Sequence, residues 1–379
     1  MPMIRSSVFL FLALFLVFRN LSLTLADDRC YSHFFVFGDS ISDNGNWLHY
    51  AVPPGPVARL PYGETFFKHP TGRFSDGRLI IDFICEALDI PYLTPYLVGN
   101  TSKDFQFGAN FAVGGATALN QDYFKNRGLQ VLFTPYSLGT QIRWFEKLLK
   151  LLGSSDSERK AIASTSLFLM GEIGGNDYNQ PFLQNRPIEE IRTYVPDVID
   201  AIGASANDLI NLGAKTIVVP GNFPIGCVPE FRTIFQTNNS SEYDQYGCLK
   251  WMNEFAEYHN TALKTKLRQL TESNPGVTLI YADYYSVTFN FTKNPMTYGF
   301  ENVRDACCGA GGPYNVNPMI DCGLNGSHTC PDPAKYISWD GSHMTEQVYK
   351  YIAHDILEGP YTNTSILAQC MFRLYDFEK

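Results

Sequence analysis

Three polar residues have the types and the order that could activate a nucleophile. Ser40 ends the segment FVFGDS at 35–40, and the segment WDGSH at 339–343 contains Asp340 and His343. A serine hydroxyl becomes an effective nucleophile when a histidine takes its proton and a carboxylate orients that histidine. Of the seven histidines, only His343 has an aspartate three residues before it. We expect Asp340 to bind the Nδ1 hydrogen of His343 across one helical turn, with a solvated surface turn as the alternative.

A nucleophile that attacks a carbonyl carbon also needs hydrogen-bond donors for the oxyanion that forms. A glycine before this serine allows a sharp turn at a strand end, so that the Ser40 N–H can face that charge near a helix N-terminus. Two further segments that follow predicted strands are glycine-rich, GANFAVGGA at 108–116 and GGND at 174–177. The side chain of Asn176 is a candidate donor. The alternative is that both segments are tight turns in which Asn176 bonds its own backbone.

A sheet is expected to position these residues. The evidence is that short apolar runs alternate with amphipathic stretches along the chain. The predicted strands are His33–Phe37, Asn110–Val113, Ser166–Met170, Thr216–Val219 and Thr278–Tyr281. The predicted helices are Leu79–Leu88, Thr140–Leu152, Ile188–Leu212 and Leu249–Leu270. This alternation predicts βαβ units and a mostly parallel sheet with helices on both faces. We expect one domain over 27–379, with ligands bound beyond the carboxyl ends of the strands.

The first residues have the pattern of a secretory signal peptide. Arg5 precedes an apolar run at 8–18, and Thr-Leu-Ala at 24–26 forms a small-residue exit. Such a run is too short to cross a bilayer, which takes about 20 apolar residues. We therefore expect cleavage after residue 26, with an uncleaved anchor as the alternative. The expected destination is the secretory pathway, ending outside the cell or in the vacuole.

The net charge argues against two classes of partner. The chain of 379 residues carries a formal charge of −9 and has a pI near 5.3. An acidic protein without clusters of Lys and Arg is not expected to bind nucleic acid or an anionic membrane surface. We expect a monomer without stable membrane insertion.

All nine cysteines follow the predicted signal peptide and are expected to form disulfides in an oxidising compartment. They are Cys30, Cys85, Cys227, Cys248, Cys307, Cys308, Cys322, Cys330 and Cys370. Because nine is odd, at least one is free or pairs with another chain. We expect a Cys227–Cys248 bridge, and separate partners for Cys307 and Cys308, since adjacent cysteines rarely meet the geometry of a mutual bridge. The alternative is a zinc site built from Cys307, Cys308, Cys322, His328 and Cys330; we expect no metal.

Six sequons predict N-glycosylation in a secreted chain. They stand at Asn100, Asn238, Asn239, Asn290, Asn325 and Asn363. Since glycans need surface loops, these residues should mark the outside of the fold.

Four ordered motifs together resemble a known family. They are Gly-Asp-Ser at 38–40, Asn-Phe-Ala-x-Gly-Gly-Ala at 110–116, Gly-Gly-Asn-Asp at 174–177 and Asp-x-x-His at 340–343. Their order over 33–354 resembles the plant GDSL esterase/lipases of the SGNH hydrolase superfamily. The resemblance implies a flavodoxin-like three-layer α/β/α sandwich with a mostly parallel sheet, the SGNH hydrolase fold. It implies no cofactor and no metal.

The resemblance also implies a role for each motif. Ser40 would be the nucleophile and would supply the first oxyanion N–H. Gly115 would supply the second, with the neighbouring N–H of residue 114 as the open alternative. Asn176 would be the third donor, and Asp340 with His343 would complete the catalytic set.

The implied activity is two-step hydrolysis of a small-molecule carboxylic ester through an acyl-enzyme. A resemblance within the group to an esterase that deacetylates an indole alkaloid favours short acyl esters, chiefly acetyl esters, of small plant metabolites. Sinapoyl, lipid and cell-wall sugar esters are alternatives, as is acyl transfer to an alcohol. The α/β-hydrolase motif Gly-x-Ser-x-Gly is absent from the sequence. A binding protein that had lost catalysis would be expected to lack Ser40, Asn176 or His343, and all three are present.

Overall fold

The computed structural model describes residues 29–367. The predicted signal peptide at 1–26 and Cys370 therefore lie outside the described residues. The strands of the main sheet are β1 Phe34–Val36, β2 Gly108–Asn110, β3 Leu167–Leu169, β4 Thr216–Pro220 and β5 Thr278–Ala282. All five predicted strands are present, although β2 begins and ends earlier than the sequence predicted.

The early end of β2 has a local cause in the side chain of Asn110. Its Oδ1 accepts the N–H of Ala112 at 2.9 Å, which closes a turn within the chain directly after the strand. The N–H of Phe111 still donates to Val36 of β1 at 2.7 Å, so the chain continues beside the sheet without regular pairing. An asparagine that binds a backbone group two residues ahead favours a turn over a strand.

The main sheet is parallel throughout, with strand order β2-β1-β3-β4-β5. Phe34 of β1 pairs with Gly108 on one side and with Leu167 on the other. The chain therefore reverses its direction of progress across the sheet between β1 and β3. In flavodoxin-like sheets of this order, the crevice at the carboxyl ends of those two strands is the place where ligands bind.

Helices cover both faces of this sheet. They are α1 Asn46–Tyr50, α2 Ile80–Ala87, α3 Gln121–Lys125, α4 Leu138–Leu152, α5 Asp156–Ser164, α6 Gly175–Leu183, α7 Ile188–Arg192, α8 Val195–Asn211, α9 Pro229–Ile234, α10 Lys250–Ser273, α11 Tyr284–Lys293 and α12 Glu346–Leu357. Short 3₁₀ helices lie at Pro56–Ala58, Ile225–Cys227, Ser240–Glu242, Pro295–Tyr298, Pro313–Asn315 and Pro333–Lys335.

The two faces form two separate hydrophobic clusters, as the alternation of side chains along a strand requires. Phe35 of β1 packs with α4, α8 and α10 in one cluster. Phe34, its neighbour in sequence, packs with α2, α11 and α12 in the other. The expected three-layer α/β/α sandwich is confirmed.

One predicted helix, Ile188–Leu212, is divided in the structure into α7 and α8. Pro196 stands in the first turn of α8. Proline has no N–H to donate and disfavours helical geometry in the residue before it. The amphipathic pattern runs through this break, which is why periodicity alone did not reveal it.

Disulfides fix the polypeptide around the carboxyl end of the sheet. Cys227 is bridged to Cys248, as predicted. Two further bridges join Cys307 to Cys330 and Cys308 to Cys322, so the adjacent cysteines have different partners. These bridges hold two small sheets, β6 Asn302–Ala306 with β9 Tyr336–Ser338 and β7 Cys308–Gly309 with β8 His328–Thr329.

The remaining cysteines divide into bonded and free. Cys30 is also disulfide-bonded. Within residues 29–367, Cys85 is the free cysteine, and it is buried. Along the same stretch, no helix has the length and apolar character that crossing a membrane takes.

Candidate active site

Ser40 lies at the carboxyl edge of the sheet, four residues after the end of β1. The carbonyl of Asp39 accepts the N–H of Ser42 at 3.1 Å and that of Asp43 at 2.9 Å, which closes a tight turn around Ser40. The predicted helix does not begin here. It begins at Asn46, because the carboxylate of Asp43 first binds the N–H groups at the start of α1.

His343 bridges Ser40 and Asp340. Its Nε2 lies 2.8 Å from Ser40 Oγ, and its Nδ1 lies 2.8 Å from Asp340 Oδ2. The ring centroid of Phe74 is 4.7 Å from that of the imidazole. The three side chains that the sequence singled out are therefore brought into one hydrogen-bonded chain across more than 300 residues of sequence.

The carboxylate of Asp340 is held by more than the histidine ring. Its Oδ1 accepts the backbone N–H groups of Ser342 at 3.0 Å and His343 at 2.8 Å, and its Oδ2 accepts the Tyr62 hydroxyl at 2.8 Å. Gly341, with φ of 101°, lets the chain bend between the two partners. The contact was predicted correctly, but the local structure is this bend and not the expected helical turn.

The charges of the two partners shift each other's pKa. Burial alone would raise the pKa of Asp340, but the charge of His343 and its hydrogen bonds lower that pKa to about 2. Burial alone would lower the pKa of His343, but Asp340, with smaller contributions from Asp39 and Glu230, raises it above its ordinary value. The arrangement therefore stabilises an imidazolium, the form that the histidine takes after accepting a proton.

Two neighbouring backbone N–H groups on the segment after β2 differ in their partners. The N–H of Gly114 donates to Asp43 Oδ2 at 2.8 Å and is therefore occupied. Gly115 lines the cavity beside Ser40 in a left-handed conformation, with φ of 74°. This difference favours Gly115 over Gly114 as the donor that reaches a ligand.

Asn176 lies in the first turn of α6, and its side chain points back toward β1. Its Nδ2 donates to Asp39 Oδ2 at 2.8 Å and to the carbonyl of Ala116 at 3.2 Å. The amide therefore connects the three segments that follow β1, β2 and β3. The alternative in which Asn176 binds only its own backbone is wrong.

Four polar residues that support this arrangement were not predicted from the sequence. Tyr62 donates its hydroxyl hydrogen to Asp340, and Asp43 accepts the N–H of Gly114. The carboxylate of Asp177 accepts the N–H groups of Ala118 at 2.7 Å and Leu119 at 2.9 Å, which anchors the segment after β2 to α6. Glu172 is buried and accepts the N–H of Gly175 at 3.1 Å. Their types were visible in the sequence, but nothing in its periodicity indicated their partners.

Ser40 is among the residues that line a cavity of about 580 Å³. Its lining includes six aromatic side chains besides His343, those of Trp47, Tyr62, Phe74, Phe133, Phe223 and Phe231. Ligand pockets of a few hundred cubic ångströms with mainly apolar walls suit small molecules.

The same cavity is acidic. Five carboxyl side chains line it, those of Asp39, Glu172, Glu230, Asp321 and Asp340. No Lys or Arg is among the lining residues within 29–367. An opposite charge on a ligand would therefore be attracted toward this cavity.

The four cysteines of the alternative zinc site are paired in two disulfides, Cys307–Cys330 and Cys308–Cys322. Across the described chain, no group of three or more His, Cys, Asp or Glu side chains is placed to hold a metal ion.

The sequons divide by exposure. Five are exposed: Asn100, Asn238, Asn239, Asn325 and Asn363. Asn290 differs, because it is half-buried within α11 and its Nδ2 donates to the Tyr298 hydroxyl at 2.7 Å. The expectation that every sequon stands in a surface loop therefore does not hold for Asn290, and glycosylation of all six stays a prediction.

A flavodoxin-like sheet with serine, histidine and aspartate joined at its carboxyl edge is the architecture of a serine hydrolase. The family model of the GDSL-like lipase/acylhydrolases matches residues 34–356 of the sequence. A GDSL esterase/lipase of Arabidopsis thaliana is 48% identical over 339 residues, 88% of this chain and 86% of that protein. A second one from the same plant is 46% identical over 357 residues, 92% and 90% of the two chains.

A third relative carries a more specific name. Sinapine esterase of Brassica napus is 45% identical over 366 residues, 94% of each chain. The protein thus belongs to the GDSL-like lipase/acylhydrolase family, and it is a carboxylic ester hydrolase.

Proposed function

We propose that Ser40 is the nucleophile, His343 the general base and acid, and Asp340 the residue that orients His343. The observation that carries this proposal is the hydrogen-bonded chain from Asp340 through His343 to Ser40, with both heavy-atom distances at 2.8 Å. Asp340 fixes the proton on Nδ1, so that Nε2 has a free lone pair directed at the serine hydroxyl. The backbone N–H groups of Ser40 and Gly115 and the Asn176 side chain complete the proposed set.

The reaction then proceeds in two steps. Ser40 Oγ attacks the ester carbonyl carbon while its proton passes to His343 Nε2, and the carbonyl oxygen becomes an oxyanion bound by the three donors. The imidazolium returns the proton to the departing alkoxide, which leaves as the alcohol. Water then gives a proton to His343 and attacks the acyl-enzyme, and Ser40 is released when it recovers the proton.

The oxyanion would replace an existing contact of Asn176. Its Nδ2 donates at 2.8 Å to Asp39 and at 3.2 Å to the Ala116 carbonyl. The longer of these bonds is the weaker one, so we expect that N–H to turn from Ala116 to the substrate while the bond to Asp39 is kept.

The substrates we propose are short acyl esters, chiefly acetyl esters, of small and bulky alcohols that carry a positive charge. A cavity of about 580 Å³ with six aromatic side chains in its lining has room for a compact polycyclic alcohol, and its carboxylates with no facing Lys or Arg favour an ammonium group. A protonated plant alkaloid has both features. The sequence resemblance to an esterase that deacetylates an indole alkaloid points to the same class.

A second substrate class has support from a relative. Sinapine esterase is named for a different ester, and it matches nearly the full length of this chain. Sinapoyl esters are therefore the alternative substrates, and esters of lipids and of cell-wall sugars are two further candidates. Acyl transfer to an alcohol uses the same acyl-enzyme, and added acceptor alcohols test it directly.

The charge of the alcohol can be isolated experimentally. Acetylcholine and 3,3-dimethylbutyl acetate have nearly the same shape, and only the first is cationic. We expect kcat/KM to favour acetylcholine by about 10-fold or more, since a unit charge about 4 Å from a carboxylate near a protein surface gains a few kcal/mol before desolvation. The variant Asp321→Asn removes one exposed carboxylate of the lining and should reduce this ratio. Equal rates on both esters would contradict the proposed charge preference.

The preferences for the acyl group and for the alcohol are tested by comparing kcat/KM over a set of esters. The set contains p-nitrophenyl acetate, p-nitrophenyl palmitate, an acetylated indole alkaloid, a sinapoyl ester and an acetylated xylo-oligosaccharide. We expect acetate to be cleaved faster than palmitate, and the alkaloid faster than the sugar. Faster cleavage of palmitate would make the protein a lipase. Preference for the sugar would keep the mechanism and assign the protein to the cell wall.

We also propose that the mature protein is a monomer of the secretory pathway, residing outside the cell or in the vacuole. Three disulfides between described cysteines support an oxidising compartment. N-terminal sequencing of the protein purified from its native source should begin at residue 27, and size-exclusion chromatography should give the mass of one glycosylated chain.

A further inference from the structure

Two buried carboxyl groups meet directly behind the proposed oxyanion donors. Asp39 follows β1 and Glu172 follows β3, and only 3% and 4% of these residues are exposed. The two strand ends approach closely because Gly171 has no side chain: a Cβ there would lie 2.1 Å from the Phe37 carbonyl oxygen. Asp39 and Glu172 both lie at this junction, where their side chains are within reach of a mutual hydrogen bond.

A hydrogen bond between two carboxyl groups requires a proton. Ionised carboxylates have only acceptor oxygens, so two of them in contact repel and cannot bond. The pair therefore contains one proton and one negative charge. Burial, followed by the charge of Glu172, raises the pKa of Asp39 well above its ordinary value, and burial raises the pKa of Glu172 to about 7.

Other hydrogen bonds of this pair hold the two segments that supply oxyanion donors. Asp39 Oδ2 accepts from Asn176 Nδ2 at 2.8 Å, and Asp39 Oδ1 accepts the N–H of Ile41 at 3.0 Å. On the other side, Glu172 Oε1 accepts the N–H of Gly175 at 3.1 Å, at the start of α6. The pair thus joins the turn that carries Ser40 to the helix that carries the asparagine.

We propose that Glu172 is a positioning residue of the oxyanion hole: the proton that it shares with Asp39 locks Asp39 as the acceptor of Asn176 and so holds that amide beside Ser40. This proposal rests on the proposed function, and it adds a residue to the site that the sequence motifs do not include. The shared proton also keeps a second negative charge away from the place where the oxyanion forms.

The test is a double-mutant cycle between Glu172 and Asn176, with kcat and KM measured on p-nitrophenyl acetate. We expect Glu172→Ala to lower kcat by about 10- to 100-fold with KM nearly unchanged, because a loosened donor acts mainly in the transition state. In an Asn176→Ala background the same change should lower kcat by less than about 3-fold, since residues that act through one another are not additive. Multiplicative losses would overturn the proposal, because a general loss of structure lowers kcat in either background.

Glu172→Gln is the matched variant. Its amide oxygen can still accept from Gly175 and its NH₂ can donate to an ionised Asp39, so the pair keeps its hydrogen bond and its single negative charge. We expect kcat within about 3-fold of the wild type. A loss as large as that of Glu172→Ala would overturn the role of the shared hydrogen.

Glu172→Asp serves if the alanine variant does not fold. Its shorter side chain cannot reach Asp39 from the same backbone position, so its loss of kcat should again disappear when Asn176 is alanine. The activity of Ser40→Ala distinguishes a failure of the proposed function from a failure of the role of Glu172. An active Ser40→Ala protein would overturn the proposed function, whereas an inactive one together with multiplicative losses in the cycle would overturn the role of Glu172 alone.

Discussion

Replacing Asp340 by asparagine should do more damage than the loss of one charge. Asp340 Oδ1 accepts two backbone N–H groups, at 3.0 Å and 2.8 Å, so the amide oxygen of an asparagine is held at that position. The amide NH₂ is then forced into the Oδ2 position, which faces His343 Nδ1. A donor there binds the histidine tautomer whose proton is on Nε2, and that tautomer cannot take the proton of Ser40.

The two contributions differ in size. The pKa of Asp340 lies near 2 against an ordinary 3.8, so that against the cost of burial the carboxylate gains a net interaction of about 2.5 kcal/mol, in which His343 is the main partner and Tyr62 a lesser one. Loss of that interaction alone corresponds to a decrease of about 10²-fold in kcat. Trapping the wrong tautomer raises the expected loss for Asp340→Asn to about 10⁴-fold.

Asp340→Ala is the control, because it removes the charge without placing an N–H opposite the imidazole. We expect its kcat on p-nitrophenyl acetate to fall by about 10²-fold, less than that of the asparagine variant. Circular dichroism and thermal unfolding establish that both variants are folded. An asparagine variant within 10-fold of the wild type, or less impaired than the alanine variant, would refute the tautomer argument.

Three further predictions concern the surroundings of the proposed triad. Asn176→Ala should lower kcat by about 10²- to 10³-fold with a smaller effect on KM; a raised KM with unchanged kcat would make it a binding residue. Glu230→Gln should move the acid limb of the kcat/KM profile to lower pH, because activity requires neutral His343 and the carboxylate raises the pKa of that histidine. An unmoved limb would contradict this coupling. Gly115→Ala should unfold at lower temperature and lose activity, because φ is 74° there and a Cβ would lie 2.3 Å from Phe133 Cβ; wild-type melting and turnover would exclude the close approach.

Much of the fold could be predicted because the central strands are short, apolar runs buried on both faces. Leu167–Leu169 and Thr278–Ala282, for example, are almost entirely buried between two helical layers. A parallel sheet then places every segment that follows a strand at one edge. That rule alone places the region of Ser40 beside the region of Asn176.

The spacing of Asp340 and His343 predicted their contact, but not the geometry that makes it. The two residues meet through a bend at Gly341 in which Asp340 accepts backbone N–H groups, a geometry that a three-residue spacing does not distinguish from a helical turn. Similarly, the choice between Gly114 and Gly115 depended on Asp43, which lies 71 residues from Gly114 in sequence.

Glu172 was missed for a physical reason. A glutamate just after a strand usually reaches solvent, and its burial here depends on the close approach of Gly171 to the end of β1. Contacts of this kind are set by tertiary packing between strands that lie far apart in the chain. No local pattern in residues 166–177 indicates them.

The central claim is that an acyl group is carried by Ser40, and mass spectrometry of the trapped enzyme tests it most directly. Ser42→Ala is the matched control, since Ser42 is a buried serine in the same turn that is given no role in the chemistry. The wild-type and Ser42→Ala proteins should each gain one fluorophosphonate adduct, mapped to the peptide that contains Ser40, and lose esterase activity in proportion. Ser40→Ala should remain folded, take up no adduct and hydrolyse no ester. An adduct at another residue, or ester hydrolysis by Ser40→Ala, would contradict the account.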